Sequence, residues 1–171
     1  MISASAKHPQ ISRLAELIRG IESVMFTTIN PDGSVNSRPM VVQDFDFDGD
    51  LWFFTQQSSG KVDAIVEDSH VCMAFMDPAS NRYISASGSA EVVDDGEVVT
   101  KIWNQAFAKW FPQGPSDDDL VLIRVRVTNA EYWDTPHSHV TESFCFTAPA
   151  LQFHKRGTKN SRFSREHFSH S

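Results

Sequence analysis

The residues best suited to chemistry lie in one run, Trp52-Phe53-Phe54-Thr55-Gln56-Gln57-Ser58-Ser59-Gly60-Lys61, where aromatics give way to hydroxyls and a lysine. Behind Lys61, Val62, Ile65 and Val66 recur at helical spacing, so a strand ending at Thr55 is expected to hand over to a helix capped by Ser58 or Ser59. The first turn of such a helix leaves backbone N–H groups unpaired and bears partial positive charge, which suits an anion. Thr55 and Ser59 would add hydroxyls and Lys61 a full cation, while the aromatics offer an apolar wall to a ring attached to a phosphate. An ordinary capped helix with a solvated lysine has the same pattern, so two readings stand at this point.

The elements that must position this run follow from hydrophobic periodicity. Pro9 precedes Ile11, Leu14, Ala15, Ile18 and Ile21, an amphipathic helix closed near Gly20. Strands are expected at Val24–Ile29 and Val35–Gln43 around the turn Asn30-Pro31-Asp32-Gly33, and at Leu51–Thr55 after Asp48-Gly49. Val71–Met76 is apolar on both faces and suits a central strand. Residues 82–93 alternate, with Ile84, Ala86, Gly88, Ala90 and Val92 on one side. Asp94 and Glu97 form a capping-box pattern, after which Val99, Ile102, Trp103, Ala106, Phe107 and Trp110 keep helical spacing up to the loop 111–115. Trp103 and Phe107 fall on that stripe and read as core. Leu120–Trp133 is the last strand, with Val121, Ile123, Val125 and Val127 inward. The expectation is a mainly β fold, a six-stranded antiparallel barrel with about three peripheral helices, because most joins are too short for parallel crossovers. It spans residues 1–136, and residues 137–171, rich in Ser, Thr, His and basic residues, read as a flexible tail.

Composition narrows the function classes. The chain has 171 residues, 40% hydrophobic, which suits one domain with one substantial core. Its net charge is −7, and residues 154–171 hold five Lys or Arg against Glu166, so the body is more acidic still. Such a body repels nucleic acid and anionic membranes, and phosphate affinity must come from a focused pocket. Cys72 and Cys145 lie far apart, Cys72 in an apolar run, which fits a reducing cytoplasm. No run of apolar residues is long enough for a signal peptide or membrane span. His137-Ser138-His139 lacks a third ligand at metal spacing, and neither a Ser/His/Asp grouping nor a close carboxylate pair stands out.

Taken in order, Asn36-Ser37-Arg38-Pro39-Met40, the Trp52–Lys61 run, Tyr83–Gly88, Trp110–Gly114 and Ala130-Glu131-Tyr132-Trp133-Asp134 resemble the pyridoxamine 5′-phosphate oxidase-like flavin-binding split barrels, bacterial general stress protein subgroup. The resemblance implies a split β-barrel in which Arg38, Lys61 and Ser59 grip the flavin phosphate. It puts Phe54 and Thr55 along the ribityl chain and ring, and Pro39, Met40 and Val41 on the strand that meets the isoalloxazine edge. It further implies a homodimer with FMN, or FAD, between the subunits, and Trp110 and Trp133 reaching a neighbour's cofactor. A guanidinium suits the role of Arg38 through paired bonds to phosphate oxygens. Gly60 stands where the oxidase has a second basic residue, Gln43 where a lysine is expected near the flavin, and the C-terminal arginine and histidine that hold pyridoxamine phosphate have no match. These departures point away from vitamin B6 oxidation and leave flavin binding. Three functions follow from the resemblance: a cytoplasmic flavin-dependent oxidoreductase of stress response with no assigned catalytic side chain, a non-catalytic flavin-binding or sensing module, and a deazaflavin-dependent reductase.

Overall fold

The computed structural model describes residues 8–43 and 47–146. Helix α1 (Pro9–Ile18) starts with proline at its first turn, where no backbone donor is needed, and buries Leu14, Leu17 and Ile18. Gly20 follows at φ +79°. Arg82 secures the helix end: its Nη1 donates to the carbonyls of Leu17 and Arg19, both at 3.0 Å, and its Nη2 to Asp77 Oδ2 at 2.6 Å.

Strands β1 (Ser23–Ile29) and β2 (Val35–Val41) form a hairpin whose turn places Gly33 at φ +82°. The Asp32 carboxylate accepts from the Ser34 N–H at 2.9 Å and hydroxyl at 2.6 Å, and this turn sets a register pairing Thr28 with Asn36 and Phe26 with Arg38. Strand β3 (Asp50–Gln56) leads into helix α2 (Gly60–Glu67), and β4 (His70–Asp77) turns tightly into β5 (Arg82–Val93). Helix α3 (Gly96–Ile102) and two short 3₁₀ turns precede β6 (Leu120–Trp133), and β7 (Glu142–Cys145) closes the described chain.

All strand pairs are antiparallel, in the order β2-β1-β4-β5-β6-β3, with β7 also on β6. The sheet curls far enough for the Phe26 ring of β1 to meet the Phe53 ring of β3 edge-on, centroids 5.1 Å apart, although three strands lie between them in the sheet order. The edges of β2 and β3 are left unpaired with each other, which is the split of a split barrel. A bulge between Ser87 and Gly88 helps the bend. Gly88 has no room for a side chain, since a Cβ there would stand 2.1 Å from the Arg126 carbonyl oxygen.

Inside the barrel, Phe26, Phe53, Met73, Phe75 and Ile123 pack with α1 covering one end. Phe54 faces the other way and joins Val99, Ile102, Phe107, Phe111 and Leu122 beneath α3. Successive strand residues point to opposite faces, so an aromatic pair at Phe53-Phe54 fills two cores. Phe107 is buried and Trp103 packs beside it, as the helical stripe implied.

Several expectations change. On α2 the buried face is Val62, Ala64 and Ile65, while Val66 is 74% exposed. Helix α3 is capped by Asp95, not Asp94, through bonds to the Glu97 and Val98 N–H groups. It ends at Ile102 rather than running to Trp110, because Trp103 turns to φ −53°, ψ 131° and Asn104 caps a separate 3₁₀ turn. Within the segment read as a tail, β7 pairs with residues 129–132 of β6 and buries Phe144, adding a seventh strand. Residues 147–171 of that segment lie outside the described residues.

Candidate functional site: a half-buried cation pair

Arg38 and Lys61 converge from different elements. Arg38 sits on β2 beside the barrel split, and its Nη1 donates to Thr28 Oγ1 at 2.8 Å. Thr28 is fully buried on β1, diagonally across the register, so its hydroxyl is a fixed support. Lys61 is in the first turn of α2, and its Nζ donates to Thr55 Oγ1 at 2.9 Å and Ser59 Oγ at 2.5 Å. Ser59 is the N-cap residue, but its side chain makes no capping bond to the helix. Asp119 holds the preceding turn in place by accepting from the Ser58 N–H and hydroxyl, both at 3.0 Å. Ser58 is thereby tied to Asp119, and Ser59 is the serine whose hydroxyl meets Lys61.

The electrostatics of this pair are unusual for so acidic a chain. Arg38 and Lys61 are both half-buried, and among the described residues neither has a carboxylate within ion-pair distance. The other half-buried arginines, Arg82 and Arg124, are paired with Asp77 and with Glu91. Burial lowers the Lys61 pKa below its ordinary value, and the nearby charge of Arg38 lowers it further; burial also lowers that of Arg38. The Arg38 charge thus bears directly on the Lys61 ammonium. Two like charges near each other and partly withdrawn from water, with hydroxyls as their side-chain hydrogen-bond partners among the described residues, gain most from an anion that contacts both. The donor set fits a phosphate monoester: a fork, an ammonium, hydroxyls and the first turn of a helix.

The other residues implied by the resemblance spread outward from this pair. Pro39 and Val41 are exposed and Met40 is buried, all on the edge strand β2. Thr55 is buried against Lys61, and Phe54 next to it packs on Trp103 and Phe107 with centroids 5.6 and 4.9 Å away. Trp110 is 51% exposed, with Lys109 Nζ 3.8 Å above its ring. Trp133 ends β6 opposite Tyr83. No ring contact or hydrogen bond within the described chain joins Trp110 or Trp133 to the cation pair. Thr28 and Asp119 escaped the sequence reading. The signal for Thr28 was the hairpin turn, which fixes which β1 residue lies diagonal to Arg38.

A curled antiparallel sheet split between two edge strands, with a half-buried cation pair beside the split, defines a class of split barrels. The chain belongs to the pyridoxamine 5′-phosphate oxidase like family, whose model matches residues 9–155. It is 32% identical over 119 residues to protein bli-3 of Neurospora crassa, a match covering 64% of this chain and 57% of that protein. Among solved structures, it is similar to a Clostridium acetobutylicum protein related to general stress protein 26 of the pyridoxinephosphate oxidase family, with TM-score 0.69, 20% identity, and 79% and 93% of the two chains covered. The general stress FMN/FAD binding protein of Xanthomonas citri superposes with TM-score 0.63 at 24% identity, covering 85% of this chain and 98% of that one. At these identities the two structures speak for the fold.

Proposed function

We propose that this chain binds FMN and acts as a flavin-dependent oxidoreductase of the general stress type, with the flavin phosphate held between Arg38 and Lys61. The observation that carries this reading is the half-buried cation pair beside the barrel split, which has no carboxylate partner among the described residues. A phosphate monoester near neutral pH bears close to two negative charges, matching two cations. Thr28 orients the guanidinium, while Thr55 and Ser59 hold the ammonium. The unpaired backbone of β2 along Pro39–Val41 then offers hydrogen bonds to a polar ring edge, and Pro39 itself contributes only an acceptor. FAD presents the same first phosphate. When bound, the flavin supplies the electron chemistry, and the protein binds, orients and shields it.

The reading includes a homodimer. Pro39, Met25, Ala74, Ser85 and Glu131 form one cross-strand row of modest side chains on the outer face of the sheet, and Val41 and Met76 expose apolar surface. A second copy covering this face would bring its own aromatics, including Trp110 and Trp133, toward the flavin. No described helix is long and apolar enough to cross a membrane.

The test is spectroscopic and kinetic. Purified protein titrated with FMN is expected to perturb the flavin bands at one FMN per chain and to turn over NADH or NADPH in steady state. Stoichiometric binding without turnover would replace the enzyme with a flavin-holding module, and no binding would overturn the reading.

A further inference from the structure

Asp119 immediately precedes β6, and the β3–β6 register, which pairs Gln56 with Leu120, sets it opposite the turn that leads from β3 into α2. Its carbonyl accepts from the Gln57 N–H at 2.7 Å. Its carboxylate takes the Ser58 N–H on one oxygen and the Ser58 hydroxyl on the other, both at 3.0 Å. Asp119 thus grips two successive residues just ahead of Ser59 and Lys61, and it is itself held, since its N–H donates to Asp117 Oδ1 at 3.1 Å.

The grip matters because α2 begins without a side-chain cap. Ser59, which would ordinarily supply one, instead receives the Lys61 ammonium at 2.5 Å. The Ser59 N–H donates to the Gln56 carbonyl and the Val62 N–H to the Ser59 carbonyl, at 3.0 and 2.8 Å, and both bonds are local to the turn. Among the described residues, the hydrogen bonds that tie residues 57–59 to a distant part of the chain all end on Asp119.

Charge makes the role distinctive. Asp119 has no ion pair among the described residues. A carboxylate bonded to the residue next to Ser59 repels an anion held by Lys61, so its worth to the site lies in position and not in attraction.

We infer that Asp119 is a positioning residue of the phosphate site, which acts through Ser58 to place Ser59 and Lys61 and so sets the preference for a phosphorylated flavin over riboflavin. The inference rests on the reading that Arg38 and Lys61 hold the flavin phosphate.

Dissociation constants for FMN and riboflavin, measured on the full chain and its variants, test it. Coulomb's law alone calls for tighter FMN binding once the carboxylate is gone. Asp119→Ala is instead expected to weaken FMN by about tenfold while leaving riboflavin within about twofold. Asp119→Asn keeps an acceptor for the Ser58 N–H and offers its amide to the Ser58 hydroxyl, so it should bind FMN at least as tightly as the wild type. Ser58→Ala cuts the clasp from its other end and should weaken FMN by about threefold with riboflavin unchanged. Should Asp119→Ala fail to fold, Ser58→Ala decides, and undiminished FMN binding there overturns the inference. If the wild-type protein holds riboflavin as tightly as FMN, the phosphate reading fails and takes the inference with it. If the wild type prefers FMN but Asp119→Ala binds FMN undiminished, loses riboflavin by the same factor, or is matched in its loss by Asp119→Asn, the inference falls and the phosphate reading stands.

Discussion

Lys61 is held in a site that disfavours its own charge. Burial and the neighbouring guanidinium both favour the neutral amine, so its proton is lost below the ordinary value of 10.5. The folded, ligand-free protein therefore binds fewer protons than the unfolded chain between that lowered value and 10.5, and its stability rises with pH across this window. Ligand affinity runs the other way. FMN binding should weaken as pH climbs through the lowered Lys61 value, whereas Lys61→Met should bind weakly with no such alkaline loss; dissociation constants measured across that range for both proteins check this. Thr28 makes a related prediction. Thr28→Val removes the acceptor for Arg38 and should weaken FMN by about 1 kcal/mol, roughly fivefold, with little effect on riboflavin. Equal losses for FMN and riboflavin would mean that Thr28 supports the barrel rather than the guanidinium.

At the scale of elements, the barrel closes because β5 and β6 bend together at the Ser87/Gly88 bulge. Gly88→Ala would drive a Cβ into the Arg126 carbonyl and is expected to cost about 3 kcal/mol, lowering the melting temperature by roughly 6–12 °C. Gly96→Ala at the start of α3 meets nothing within 4 Å and should be neutral or slightly stabilising, so the pair separates crowding from a general loss of glycine. The same elements explain what the sequence made legible. Both β5 and β6 were readable to the residue because each alternates for many positions and is bounded by turn residues. The end of α3 was not, because Phe107 keeps helical spacing while sitting on a 3₁₀ turn that covers the same aromatic cluster. Val66 matched the helical stripe but points outward because Ala64, small enough to approach the sheet, takes the buried place. Strand β7 has four residues with only Phe144 buried, too short a pattern to rise above its polar surroundings.

On the scale of the whole molecule, an acidic chain of net charge −7 brings Arg38 and Lys61 together across the split of a curled sheet, and among the described residues neither is paired with a carboxylate. Their meeting depends on closure of the barrel, which periodicity alone does not specify; the family motif order suggested it, and the structure supplies the hydroxyl supports. A ligand that bridges β2 and α2 should clamp the split, so saturating FMN is expected to raise the melting temperature in proportion to its affinity, read by thermal denaturation. The most direct measurement is a double-mutant cycle on flavin affinity. Arg38→Ala and Lys61→Ala should each weaken FMN by about 1.5–3 kcal/mol, and their combination should be non-additive because both contact one phosphate. Riboflavin, lacking that phosphate, should bind the wild-type protein more weakly than FMN and respond little to either substitution. FMN affinity unchanged in both single variants, or riboflavin binding as tightly as FMN, would contradict the account.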